Sequence, residues 1–245
     1  MFGSFFNVVG IRVPLRGFLQ HTRSICPHCL HTLSWYELIP VLSYFLQLAK
    51  CRQCSQPISP LYPIVECSTA ILFTVSFHHF GLSGSFLLSL LFTSLLMIII
   101  VTDLYYMLIP DKILLLFTPF LFLLRLIETS IPWYEVLFGG LFGLVSLAII
   151  ILLSGGGIGA GDMKLIGVMG IVIGWQGVLL TLCIAALLGV VVGYCLIMAK
   201  VTRRQQPIPF APFLAVAALI SLFWGEDIIQ TYFTLWKSAF LFFCR

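Results

Sequence analysis

From residue 62 onward the chain is a succession of apolar runs, at about 62–80, 85–102, 113–127, 136–153, 165–175, 177–199, 208–224 and 228–243. The runs are continuous, without the alternation of a membrane β-barrel strand. Hydrocarbon offers a backbone no water to bond to, so each such segment must satisfy its own N–H and C=O groups, as a helix does. Composition agrees: 60% of the 245 residues are hydrophobic, 9% are charged and mean hydropathy is +1.11, against about 25% charged residues in a soluble domain. Too few polar side chains exist to cover a water-facing surface. An all-α polytopic membrane protein of about eight membrane segments is expected, its main partner the lipid bilayer, with nothing suited to nucleic acid. No internal repeat and no cleavable signal peptide is evident, and Pro119 is expected to kink the third run.

Three regions follow. Residues 1–11 (MFGSFFNVVGI) are apolar but shorter than the about 20 residues a crossing needs, so they form a half-inserted segment or the start lies upstream. Residues 12–61 form a small Cys-rich cytoplasmic lobe, in which the apolar run 38–49 packs on the membrane surface or inside the lobe. Residues 62–245 form the membrane-embedded domain. Lys and Arg set the orientation. With the lobe in the cytoplasm, the loops on its side carry Lys112, Lys164, Lys200, Arg203, Arg204 and the C-terminal Arg245. The opposite loops hold Glu128, Glu135, Glu226 and Asp227, with Arg125 at an edge. A multi-pass plasma (inner) membrane protein with its site facing the cytoplasm is expected, and residues 165–175 must cross.

Two acids stand at cytoplasmic ends of spans. Asp103 closes the run 85–102, and Asp162 follows the glycines of GGGIGAGDMK (155–164). An ionisable residue at a membrane boundary is costly and marks function by default. Two carboxylates at one depth on different helices can converge, and repulsion then leaves one ionised and one protonated near neutral pH, the pair titrating as a unit. Such a pair hydrolyses an amide: one member takes a proton from water while the other donates to the scissile carbonyl. Asp111, beside Lys112, competes with Asp103, but Asp103 directly follows the apolar span. Two acids facing solvent at helix ends are the bland alternative. Gly159 and Gly161 are expected to give the Asp162 segment a backbone that ordinary residues cannot adopt.

The lobe carries Cys26-Pro-His-Cys29 and, 21 residues on, Cys51-Arg-Gln-Cys54. Two C-x2-C turns at this spacing offer four soft ligands for a tetrahedral structural zinc, and a cytosolic location disfavours a structural disulfide. Redox dithiols are the alternative, and His28 or His31 could replace a ligand. Cys67, Cys183, Cys195 and Cys244 lie in apolar runs and are expected to be buried small residues. His78 and His79 suggest nothing specific.

Together the motifs resemble those of the type IV prepilin peptidases (leader peptidase/N-methyltransferases), and most the Gram-positive branch that processes competence pseudopilins. The resemblance rests on GSFFNVVGIRVP (3–14), CPHC, ELIPVLSY, CRQC, ISPLYPIVE (58–66), DLYYMLIPD (103–111), GAGD with Lys164-Leu165, and PFAPF (209–213) in one order. Ala211 stands where many members have glycine. The resemblance implies a GxGD-type aspartyl protease domain, Asp103 and Asp162 as catalytic pair, and Cys26, Cys29, Cys51 and Cys54 as metal cysteines. It implies prepilin and pseudopilin substrates with a short basic leader cut on the cytoplasmic side. It also implies N-methylation of the new terminus with S-adenosylmethionine. No G-x-G-x-x-G loop is present; Glu66, Asn7 and the Cys-rich lobe are the candidates for that step. The rival reading is a membrane thiol-disulfide oxidoreductase using the CxxC pairs, which would need its cysteines on the oxidising face. A transporter or scaffold would explain the hydrophobicity without the paired CxxC.

Overall fold

The computed structural model describes residues 1–14, 24–26, 28–128, 132–153, 159–200 and 209–243, with side chains to Lys237. Among them are eight α-helices: α1 (Phe2–Arg12), α2 (Leu42–Leu46), α3 (Leu61–Phe80), α4 (Gly84–Tyr106), α5 (Asp111–Ile127), α6 (Trp133–Leu153), α7 (Ala160–Met198) and α8 (Ala211–Phe243). The described residues contain no β-strand, only isolated bridges. Five helices (α3, α4, α6, α7 and α8) are long and apolar enough to cross a membrane. The chain divides into two compact units, Met1–Phe117 and Thr118–Arg245.

In the first unit α1 lies between α3 and α4. It is 11 residues long, about 16 Å, and approaches its neighbours through glycines. A Cβ on Gly3 would sit 2.7 Å from Glu66 Cα, and one on Gly10 would sit 2.6 Å from Val101 Cγ1. Its C-terminal end is tied to the end of α4 by Tyr106 Oη, which donates to Ile11 O at 2.9 Å. The core of this unit is α4, where Phe92, Leu95, Leu96, Ile99 and Val101 have no exposed surface.

In the second unit α7 is two helices, broken at Gly174 (φ 70°, ψ 175°). Left-handed φ is open to glycine without strain, and here the chain reverses. The first arm runs antiparallel to α6, because Gly139 meets Gly170 and Gly143 meets Ile166. Trp175, just past the break, packs on Phe138 and Phe142 near the start of α6. Further along the second arm, Leu182, Ala186, Gly189 and Val190 share a cavity with Leu147 and Ile150, near the end of α6. The two arms therefore bear out separate runs at 165–175 and 177–199. α8 returns along the second arm, with Thr181 Oγ1 donating to Ser221 Oγ at 3.0 Å, a buried inter-helix hydrogen bond.

Two expectations change. Residues 208–224 and 228–243 do not form two spans, since α8 continues through Gly225-Glu226-Asp227 as one helix of 33 residues. One internal glycine costs a helix only about 1 kcal/mol, and both acids are exposed. Cys67, Cys183 and Cys195 are exposed, not buried. A membrane protein turns apolar side chains outward to lipid, so an apolar neighbourhood does not imply an interior. Cys244 lies outside the described residues.

The α6–α7 contact is the tightest in the molecule's second unit: a Cβ on Gly170 would lie 2.1 Å from Gly139 O. Gly170→Ala should cost about 1–3 kcal/mol, as overpacking does, seen as a lower unfolding temperature of the detergent-solubilised protein. Gly81→Ala, at φ 60° and ψ −154° with nothing within 4 Å, should cost about 1–3 kcal/mol through its backbone alone.

Candidate active site

The four lobe cysteines come together. Their Sγ atoms all lie within 4.8 Å of one another, with Cys26–Cys54 at 3.8 Å and Cys29–Cys51 at 3.9 Å. A tetrahedral zinc with Zn–S bonds of about 2.3 Å has edges of about 3.8 Å, so the set fits that ion. The histidines stay outside it: His31 Nε2 pairs with Glu37 at 3.6 Å.

The two Cys turns repeat each other at an offset of 25 residues, which the linear reading missed. Cys26 N donates to His31 O and Cys51 N to Gln56 O, both at 2.9 Å, while Leu30 N and Ser55 N return to the Cys26 and Cys51 carbonyls. Bridges Ile25–Thr32 and Lys50–Pro57 close them. Each turn needs a left-handed residue just after its second cysteine, Leu30 (φ 58°) and Ser55 (φ 55°). The N–H groups of Cys29, then His28, point at Cys26 and lower its thiol to about 7. Cys51 is lowered likewise by the N–H groups of Cys54 and Gln53. At Cys54 the Gln56 N–H pulls downward, but desolvation and the neighbouring cysteines prevail and raise it to about 12. The first cysteine of each turn is thus the readier thiolate.

Asp103 lies in the last turn of α4, 6% exposed, and Asp162 in the first turn of α7, 8% exposed. Asp103 O accepts from Met107 N, the left-handed C-cap (φ 51°) that ends the helix. Asp162 N donates to Gly159 O at 3.1 Å. Asp111, by contrast, opens α5 and is exposed. Asp103 belongs to the first unit and Asp162 to the second. The glycine expectation needs correcting. Gly159 is the N-cap of α7 with φ −73°, open to any residue, and Gly161 lies inside the helix and outside the left-handed glycines. A Cβ on Gly159 would be 3.6 Å from Asp162 Oδ2, an ordinary contact. Gly156 and Gly157 lie outside the described residues.

Both other candidates sit together in the first unit. Asn7, 1% exposed, donates from Nδ2 to Tyr62 O at 3.3 Å. One turn along α3, Glu66 accepts from Ser4 Oγ, and from Val41 N at 2.7 Å. Tyr62 also lies near Tyr105, two residues past Asp103. The second unit holds an apolar cavity of about 370 Å³ between α6, α7 and the start of α8, where Phe210 and Phe213 of the PFAPF run close it.

Residues 1–80 match the bacterial peptidase A24 N-terminal domain, and residues 90–194 match the type IV leader peptidase family. A Bacillus subtilis prepilin leader peptidase/N-methyltransferase is 39% identical over 94% of this chain and 93% of its own. The chain belongs to the type IV leader peptidase family. Proteins of the same name from Aeromonas hydrophila and Pseudomonas aeruginosa are 33% and 35% identical, covering 96% and 85% of this chain and 91% and 74% of theirs. No solved structure matches. Both aspartates fall inside the matched leader-peptidase segment and all four lobe cysteines inside the N-terminal one. Membership leaves the thiol oxidoreductase reading without support.

The two left-handed residues offer a test of the lobe. Leu30→Gly should keep it folded, whereas Leu30→Val, β-branched at positive φ, should cost about 1–3 kcal/mol and speed limited proteolysis between residues 24 and 60.

Proposed function

We propose that the chain is an aspartyl endopeptidase that removes the short basic leader of prepilins or pseudopilins at the cytoplasmic face, and N-methylates the new terminus. The observation that carries the first half is the contrast among its acids. Asp103 and Asp162 are each more than nine-tenths buried at an end of a membrane helix, while Asp111 is exposed. Two buried carboxylates that share one proton can polarise a carbonyl and activate water together. The Lys and Arg bias puts both acids on the side where a basic leader is held back from the membrane. The names of the relatives supply the substrate class and the second activity.

Cys26, Cys29, Cys51 and Cys54 would hold a structural zinc, on the sulfur spacing given above. Zinc there acts on folding: its binding energy closes a lobe too small to bury a core of its own. S-adenosylmethionine supplies the methyl group for the second activity.

Asp103→Asn and Asp162→Asn should each cut leader cleavage at least about a hundredfold, the scale of a lost general acid or base, with normal accumulation in the membrane. Asp111→Asn should keep most of the activity. A dead Asp111→Asn beside an active Asp103→Asn would reverse the assignment. Metal analysis should find one zinc per chain, lost on replacing Cys26 with Cys29, or Cys51 with Cys54, by Ser. Metal-free, fully active protein would remove zinc from the account.

A further inference from the structure

Among the described residues of the first unit, two buried side-chain polar atoms have no hydrogen-bond partner, Thr93 Oγ1 within α4 and Asn7 Oδ1 on α1. Asn7 Oδ1 is buried and accepts no hydrogen bond, although Asn7 Nδ2 is engaged with Tyr62 O. A buried acceptor left unmade costs about 1–3 kcal/mol, and a membrane interior gives it no water to fall back on. The Glu66 carboxylate lies on the same face of α3, one turn from Tyr62. Two of its roughly four lone-pair positions are taken, by Ser4 Oγ and Val41 N. An acid on a membrane helix is a functional residue by default.

Three further features favour a site over a plain helix clamp. First, Gly3 lets α1 approach so closely that a Cβ there would strike Glu66 Cα at 2.7 Å, which brings Ser4 and Asn7 against the Glu66–Tyr62 face. Second, Glu66 holds the N–H of Val41, a β-branched residue at φ 62°. Such strain persists where the surroundings over-determine it, often at functional sites. Third, Tyr62 lies near Tyr105, which puts this face of α3 beside the turn of α4 that carries Asp103. Asn7 lies beside Tyr62 and Gly10 beside Val101. By helix rise the cluster is one to two turns further into the membrane than Asp103.

The open positions here are acceptors, Asn7 Oδ1 and the rest of the Glu66 carboxylate, with the Arg12 cation of α1 near Tyr62. The complementary ligand is a cationic donor of several N–H bonds. We infer that Asn7 Oδ1 and the Glu66 carboxylate cradle the α-amine of the cleaved substrate and hold it for methylation. The inference rests on the proposed processing activity, because cleavage is what creates that amine. The amine arrives as an ammonium. Passing one proton to Glu66 frees its lone pair, which then forms the N–CH₃ bond as the S–CH₃ bond of the sulfonium donor breaks, releasing a neutral thioether. A product whose apolar helix remains in the bilayer would present its terminus at this depth.

The test is binding and mass analysis with the full-length protein in detergent or nanodiscs. The probe is a synthetic peptide of a mature pseudopilin N-terminus, made with a free or an acetylated α-amine. The unchanged protein should prefer the free amine at least about tenfold, or about 1.4 kcal/mol. Glu66→Gln, nearly isosteric, and Asn7→Leu should each erase that preference. In reactions with a prepilin and S-adenosylmethionine, the share of cleaved product that carries a methyl group should fall at least about tenfold in both variants. Equal binding of the two peptides by the unchanged protein overturns the proposal and leaves a structural clamp. So does a preference that survives in both variants. If the unchanged protein cleaves without methylating, the methyltransferase half of the proposed function fails, and the peptide comparison still decides whether the amine is held here.

Discussion

Helices in lipid gain little from hydrophobic burial, because the surrounding chains are as apolar as their own side chains. What holds them together is contact distance and the few polar groups that pair. Everything in this molecule's described helices follows from that. α6 and the first arm of α7 meet at Gly139, Gly143, Gly167 and Gly170, so backbone lies on backbone. α1 reaches its neighbours through Gly3 and Gly10. Thr181–Ser221, Ser4–Glu66, Asn7–Tyr62 and Tyr106–Ile11 are among the links that side chains make between helices. Glycines that look like weak points in a soluble helix are here the points of adhesion.

The same physics explains what the sequence conveyed and what it withheld. Hydropathy located the runs, because a crossing segment must be apolar whatever it touches. The positions of Asp103 and Asp162 at span ends were legible for the same reason, an acid being tolerated only near a boundary. Hydropathy could not tell a loop from a helix at Gly225-Glu226-Asp227, since polar residues are admissible in a helix that leaves the hydrocarbon. Nor could it say which face of a span is interior, and Cys67, Cys183 and Cys195 consequently turned outward. The two halves around Gly174 were separable by run length, while the reversal itself depends on one φ angle.

In the lobe, the cysteine spacing carried the clustering of four sulfurs, since two short turns at that separation have few other uses. It did not carry the repeat at an offset of 25 residues. That repeat lies in hydrogen bonds and left-handed residues, and the side chains at the equivalent positions, Leu30 and Ser55 or His31 and Gln56, have nothing in common. The glycines before Asp162 misled in the opposite sense. Their number suggested unusual torsions, but Gly159 has an ordinary extended backbone and what it leaves is room beside a carboxylate.

The short first arm of α7 has a mechanical consequence. From Ala160 to the break at Gly174 it runs 14 residues, about 21 Å of helix, against a hydrocarbon thickness of about 30 Å. Extending the Gly139–Gly170 and Gly143–Ile166 pairing by one turn sets Asp162 level with Leu147, about 9 Å short of the end of α6. A bilayer meeting such a mismatch thins or dimples toward the shorter element. Headgroups and water would then be drawn down on that side, which would bring water to Asp162, the carboxylate proposed for hydrolysis, without a channel through the protein.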